Sequence, residues 1–263
     1  MTVTTDTETR IDPAWRSWEG GHGGHVAAVA LAAVRDRFAG GAHPVRTLTT
    51  HFLAPVTADP LHVSGTAPST GRRTAACVFT GHQNGAPVLL GSALFGPARP
   101  GPAHAGRPAP DVPGPQDRAP LRLAPWLAPF AGQLEIRPAT ADLPLAGGPR
   151  AELVAWVRFL DGRALDAAAV TTLTDVLPPA LFARWRSPRP VPTAELTVHF
   201  TGALDDAPEG WALVRIRTEE AGGGWAVDDS AVWSAEGALL GLGRQARVVR
   251  GAPGQPADGR VNS

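Results

Sequence analysis

Asp175 is the residue whose type and surroundings most invite chemistry. It lies in the run AAAVTTLTDVL from Ala167 to Leu177, beside Val176 and Leu177 and close to Leu173. A carboxylate on a largely wrapped helix is desolvated, and the negative end of a helix dipole also disfavours its charge. Both effects raise its pKa toward the range of a general base able to take a proton from water. The plainer possibility is a carboxylate on a solvated stripe near a helix end. The remaining reactive groups point less clearly. His22 and His25 stand among glycines without a cysteine or an acid cluster to complete a metal site, so no metal is expected there. A glycine-rich helix start can instead turn backbone N–H groups toward a carbonyl oxygen or a phosphate. Cys77, in the apolar run Ala75 to Phe79, reads as a buried structural thiol rather than a nucleophile.

The elements that must position these groups come in two copies. Leu196-Thr197-Val198-His199-Phe200 repeats Leu48-Thr49-Thr50-His51-Phe52 with one change. Each copy reads as a strand with Leu, the middle residue and Phe on one face and Thr and His on the other. Because both copies keep the histidine while only one half has the acid, His51 and His199 read as structural or interface residues. The flanks repeat too. Val26 to Phe38 is Ala-rich, free of Gly and Pro, and apolar nearly all round until its last turn, as a buried helix should be. Period-two segments follow at Val45–Pro55, Leu61–Ala67, Thr74–His82 and Val88–Phe95, with Asn84-Gly85 as a hairpin turn. In the second half, strands at Leu134–Pro138 and Glu152–Phe159 precede a helix that Asp166 can cap. Strands at Thr193–Thr201, Trp211–Thr218, Trp225–Ser234 and Leu239–Val249 come after it, with Glu236-Gly237 as the matching hairpin. The pattern is α+β: a tandem double hotdog, each half an antiparallel sheet wrapped around a central helix.

Residues 14–96 are expected to form the first hotdog, lacking an acid, and residues 120–251 the second, carrying the site. Residues 97–119, dense in Pro and Gly, read as a semi-rigid linker that buries little. Residues 1–13 are polar and expected to be mobile. Formal net charge is zero with a sequence pI near 7.1, so neither nucleic acid nor an electrostatically held membrane surface is an expected partner. No apolar run is long enough to span a bilayer and the start lacks a signal-peptide pattern. The expectation is a soluble cytoplasmic homo-oligomer. One cysteine among 263 residues leaves no intrachain disulfide.

In order and spacing, several pieces resemble the bacterial type II acyl-CoA thioesterases. They are Gly23-Gly-His-Val with its alanine-rich helix, His51-Phe-Leu-Ala-Pro55, Gln83-Asn-Gly-Ala-Pro87, Ser92-Ala-Leu-Phe95, Ile136-Arg-Pro138, Trp156-Val-Arg158, Leu173-Thr-Asp175 and Gln245. The resemblance covers roughly residues 15 to 250 and implies hydrolysis of an acyl-CoA thioester without a cofactor. It places a water-activating aspartate, threonine and glutamine at Asp175, Thr193 and Gln245, although Glu195 stands where the family has an aspartate. Pairing Gly85 with Gly237 sets Ala93 opposite Gln245, so the first half lacks this amide as well as the acid. A neutral amide can hold water with one atom and donate to developing charge with another. Gly24 and His25 are candidates to line the second half's site. Arg72 and Arg73, and also Arg184, Arg186 and Arg189, are candidates for the coenzyme A phosphates, against the commoner role of a solvated face. A hotdog hydratase or dehydratase is a rival that would need a histidine beside the acid, and none lies near Asp175 in sequence. Two further rivals are a thioesterase acting on carrier-protein-bound acyl groups and a non-catalytic acyl-binding module.

Overall fold

The computed structural model describes residues 3–38, 43–70, 74–123, 125–126, 128–206 and 208–251. In chain order the elements of the first half are β1 (Val3–Thr9), β2 (Arg16–Ser17), β3 (Gly20–Gly21), α1 (Gly23–Phe38), β4 (Val45–Phe52), β5 (Leu61–Thr70), β6 (Ala75–Gln83) and β7 (Ala86–Phe95). Those of the second half are β8 (Leu134–Pro138), β9 (Glu152–Phe159), α2 (Ala167–Leu173), β10 (Thr193–Phe200), β11 (Ala212–Gly222), β12 (Trp225–Ser234) and β13 (Leu239–Val248). Eleven strands make one antiparallel sheet in the order β1-β5-β6-β7-β4-β10-β13-β12-β11-β9-β8, and β2 and β3 form a separate small hairpin.

The echoed strings meet at the middle of that sheet. β4 pairs with β10 about Thr49 and Thr197, whose hydroxyls lie 2.9 Å apart, with Leu48 opposite Val198 and Thr50 opposite Leu196. Pairing a strand with its own repeat gives the molecule a local two-fold axis through the two threonines, as in an isologous dimer interface. Alternation holds as expected: Leu48, Thr50, Leu196 and Val198 are buried on the inner face, while His51 and His199 are exposed on the outer one. Both helices lie on the inner face, packed against each other and sharing one hydrophobic cluster with the sheet. That is the double hotdog.

Three local expectations are corrected. Residues 3–9 are an edge strand, because alternating threonines suit a half-buried pleat and the strand pairs with β5 from Leu61 to Ala67. The second helix stops at Leu173 rather than Leu177. Thr171, Thr172 and Thr174 all donate their hydroxyls to carbonyls three or four residues back, and Pro178 disfavours helical backbone at Leu177, so the chain turns away at 174–176. The Asp166 cap does form, its side chain accepting from the Ala169 N–H at 2.9 Å. Finally, the proline-rich segment after β7 is a strap across the outer face of the second half. Ala109 and Val112 pack on Trp156, Leu213 and Trp233, and the two indoles donate to the carbonyls of Pro113 (2.8 Å) and Arg107 (3.1 Å). Proline-rich backbone is already extended, so it loses little entropy on docking, and its unpaired carbonyls serve the indole N–H groups.

Candidate active site

Asp175 sits in the turn just past α2, where its N–H reaches the Thr172 carbonyl at 3.2 Å. Its carboxylate is 7% exposed and gathers donors from three elements. Oδ1 accepts from Gln245 Nε2 at 2.8 Å, Arg247 Nη2 at 2.8 Å and the Thr193 hydroxyl at 3.4 Å; Oδ2 accepts the Gly24 N–H at 2.8 Å. Asp175 therefore caps α1, an interaction between elements more than a hundred residues apart in sequence. The expected electrostatics are reversed for that reason. Burial is the largest single influence and pushes the carboxyl up, but Arg247, His22, Gln245 and the Gly24 N–H together hold it below the usual carboxylate range. The positive end of α1 faces the charge through the Gly24 N–H.

The sheet delivers the partners by its pleat. On β13, Gly241, Gly243, Gln245 and Arg247 all point inward. The two glycines let α2 lie close: a Cβ on Gly241 would stand 2.7 Å from Val170, and one on Gly243 would stand 2.8 Å from Thr174. The next two inward residues reach Asp175. Parity along β10 would put Thr193 on the outer face with Glu195 and Thr197. A bulge between Thr193 and Glu195 resets the register, so that Thr193 lies opposite Arg247 and turns inward. Thr193 accepts from Arg247 Nη1 at 2.9 Å. Gln245 is 1% exposed and behind the carboxylate: Nε2 serves Asp175 and Oε1 accepts from Arg247, so both ends of the amide orient the acid rather than face the cavity.

Two groups are not evident from the sequence. Arg247, there no more than a neighbour of Gln245, is 4% exposed and is the cation facing Asp175. Strand alternation is the available signal, since it puts residues two apart on one face. His22 supplies the histidine that no stretch near Asp175 contains, its Nε2 lying 3.7 Å from Oδ2 and 2.9 Å from the Asp175 carbonyl. Its Nδ1 accepts the His25 N–H at 3.2 Å, so the proton of the neutral ring is on Nε2, donated to that carbonyl. Burial lowers the His22 pKa despite the carboxylate.

His25, expected to line the site, stacks on Trp15 at 4.3 Å instead, and burial lowers its pKa to about 4. Gly24 contributes its N–H. Arg72 and Arg73 lie outside the described residues. Arg184 and Arg186 are exposed, on the segment whose Pro188 and Pro190 line the cavity at Asp175; Arg189 lies over the Trp185 ring. Cys77 is buried and pushed up to about 11, as an inert thiol should be. No group of histidines, cysteines and acids among the described residues is arranged to hold a metal.

The buried histidines predict an acid-sensitive fold. His25 titrates near 6.5 when unfolded and near 4 when folded, so its contribution is complete above pH 6.5 and is lost as pH falls toward 4. At about 1.4 kcal/mol per unit, this is at most about 3 kcal/mol before solvent screening. Chemical denaturation at pH 7 and 4.5 should show the loss, and His25→Phe, which keeps the stack on Trp15, should reduce it to what His22 contributes; an unchanged slope in that variant would refute the assignment.

A cavity of about 590 Å³ opens onto the carboxylate. Asp175, Thr193, His22, Gly23 and Arg247 form its polar end, and its walls include Phe52, Val56, Phe130, Leu145, Phe182 and Val191. Exposed Trp18 and Trp126 also line it, as do Glu19 and Arg250, which pair at 2.6 Å. An ionised acid at the end of an apolar cavity, with a hydroxyl beside it, is equipped to activate a water against an acyl group.

No curated protein sequence matches the chain significantly. Among solved structures, it is similar to an Alicyclobacillus acidocaldarius protein of unknown function with a hot dog fold, at 25% identity and TM-score 0.85, covering 94% of this chain and 93% of that one. It is also similar to the tesB protein of Mycobacterium avium subs paratuberculosis, at 20% identity, TM-score 0.75 and coverage of 94% and 93%. An acyl-CoA thioesterase II, TesB2, from Mycobacterium marinum gives 19% identity, TM-score 0.73 and coverage of 95% and 94%. These likenesses show the fold. The family is shown by two domain models, the acyl-CoA thioesterase N-terminal domain over residues 11–96 and its C-terminal domain over residues 104–249. With both halves of the sheet matched in order, the chain belongs to the acyl-CoA thioesterase family and is a thioester hydrolase.

Proposed function

We propose that the protein hydrolyses an acyl-CoA thioester to the free carboxylic acid and CoA, with water activated by Asp175 assisted by Thr193 and Gln245. The observation that carries this reading is the carboxylate fixed at the polar end of the apolar cavity. The acyl chain lies along the apolar wall with the thioester carbonyl at Gly23 and Thr193. Asp175 takes a proton from water as the water oxygen attacks the carbonyl carbon. The Gly23 N–H, in the first turn of α1, stabilises the oxyanion. The C–S bond then breaks, CoA leaves as thiolate, and the proton passes from Asp175 to the thiolate or to solvent. Gln245 acts by holding Oδ1. Donors on both carboxylate oxygens favour proton transfer over direct attack, because a nucleophilic oxygen would have to leave them.

His22 is the observation that favours the hydratase reading, but both of its ring nitrogens are occupied in holding backbone, which weakens it as a proton carrier. Thiol release should be measured across acyl chain lengths on CoA and carrier-protein donors, with C=C hydration followed on enoyl-CoA substrates of the same lengths. Release from CoA donors without hydration is expected. Hydration without release, or saturable binding without release, would overturn the proposal.

A further inference from the structure

The polar cluster extends beyond the three residues assigned to the water. Arg247 spreads its guanidinium over four partners: Nη2 donates to Asp175 Oδ1 at 2.8 Å and to Gln245 Oε1, Nη1 donates to Thr193 Oγ1 at 2.9 Å, and Nε lies 2.7 Å from Asp228 Oδ2. Asp228, on β12 directly opposite Gln245, is 1% exposed and takes the Thr218 hydroxyl on Oδ1 at 2.6 Å.

The first half shows what the same scaffold does without this cluster. Leu48 pairs with Ala93 as Leu196 pairs with Gln245, and Ala93 pairs with Cys77 as Gln245 pairs with Asp228. Two residues on from Ala93 is Phe95, matching Arg247 two on from Gln245. Ala93, Phe95 and Cys77 are all buried. The fold therefore accepts apolar residues where the second half buries a guanidinium and a carboxylate, an arrangement that costs several kcal/mol of desolvation per ion. Stability does not explain their presence.

We propose that Arg247, braced by Asp228, is a positioning residue of the reaction. It locks the Asp175 carboxylate and, by donating to the Thr193 oxygen, makes the threonine's own O–H the donor directed at the acid or at the incoming water. This rests on the assignment of Asp175 as the base. A lysine could not make this set of contacts, since they require a planar group that donates from both terminal nitrogens while its Nε stands beside Asp228. The charged and titratable groups around Asp175 are His22 from the turn before α1, Arg247 from β13 and, through Arg247, Asp228 from β12. Arg122, Arg250 and Glu19 lie on the cavity wall, whereas Asp229 and Arg244 pair with each other away from it.

The test removes Arg247 and Asp228 together, since losing Arg247 alone would strand two carboxylates, Asp228 and Asp175, whereas the double change leaves only Asp175. Arg247→Met/Asp228→Ala should stay folded, with a melting point within a few degrees of the parent's, because the loss of one buried carboxylate offsets the loss of Asp175's cation. Its kcat should fall about 100-fold with KM changed less than about threefold, the size of effect expected when a catalytic group is displaced by about 1 Å. The acid limb of kcat/KM should move up into the usual carboxylate range. Asp228→Asn, which keeps Arg247, should lose part of kcat without any upward move of the limb. Parental kcat and limb in the double variant, while Asp175→Asn is inactive, would overturn the inference and leave the base assignment intact. So would a uniform loss at every pH, or an upward limb shift in Asp228→Asn. Should the double variant fail to fold, Asp228→Asn decides, and parental kcat there overturns the proposal. An active Asp175→Asn enzyme would instead refute the base assignment.

Discussion

Replacing Asp175 by Asn is expected to lower kcat by about 10⁴-fold, the upper range for loss of a general base, while the protein remains folded. The amide keeps the shape of the side chain, and its oxygen can still accept from Gln245 and Arg247. Its NH₂ then faces the Gly24 N–H, so one buried hydrogen bond is lost at a cost of about 1–3 kcal/mol. A compensating gain comes from charge. Asp175 and Asp228 are two buried carboxylates around one guanidinium, and the variant leaves a neutral Arg247–Asp228 pair. The melting point should therefore move by only a few degrees while turnover is lost. Steady-state thiol release and a thermal melt on the same preparation check both parts. Near-parental turnover would sink the assignment, and collapse of the fold would show that the carboxylate's capping of α1 outweighs its chemistry.

The sequence carries the strand and helix pattern because each residue's preference there agrees with its tertiary setting. Alternation in Leu48–Phe52 and Leu196–Phe200 is real alternation between a core and an outer face, and the helix at Val26 is apolar because it is wrapped. Asp175 and Gln245 stand out for a related reason: they break an apolar pattern that the other half keeps. What local reading cannot supply is what tertiary contact overrides. The sign of the Asp175 shift depends on the start of α1 and on Arg247, neither of which is near it in sequence. Thr193 turns inward only because of a bulge. Asp228 can be matched to Gln245 only once the hairpin register is known, and a second bulge between Val232 and Trp233 shifts that register. The proline-rich strap reads as burying too little to be ordered because its own side chains are small, whereas the surface it covers belongs to Trp156 and Trp233.

The contact of α1 with the acid makes Gly24 a second point of large effect. Gly24→Ala replaces a helical glycine, which alone would gain about 1 kcal/mol of helix propensity. The added methyl, however, would lie 2.9 Å from Asp175 Cβ, 2.9 Å from the Thr172 carbonyl oxygen and 3.0 Å from that of Thr171. Two of these are backbone atoms of the α2 turn and cannot swing aside, so the two helices must separate. Overpacking of this kind costs about 1–3 kcal/mol, which exceeds the propensity gain and should lower the melting point by several degrees. Separation also draws the Gly24 N–H away from Oδ2, and a misplacement approaching 1 Å should cost about 100-fold in kcat. Gly23→Ala offers the contrast. The nearest neighbours of its methyl would be side-chain atoms, Asp175 Oδ2 at 2.9 Å, Phe52 at 3.6 Å and Thr193 at 3.8 Å, so it would intrude between the acid and the hydroxyl where water and carbonyl must meet. Gly23→Ala should therefore lose activity with little change in melting point, whereas Gly24→Ala should lose both. Gly101→Ala, with nothing within 4 Å of the added carbon, should change neither. Parental activity and stability in Gly24→Ala would show that the α1–α2 contact yields without cost, and the close approach of α1 would then cease to explain how the carboxylate is held.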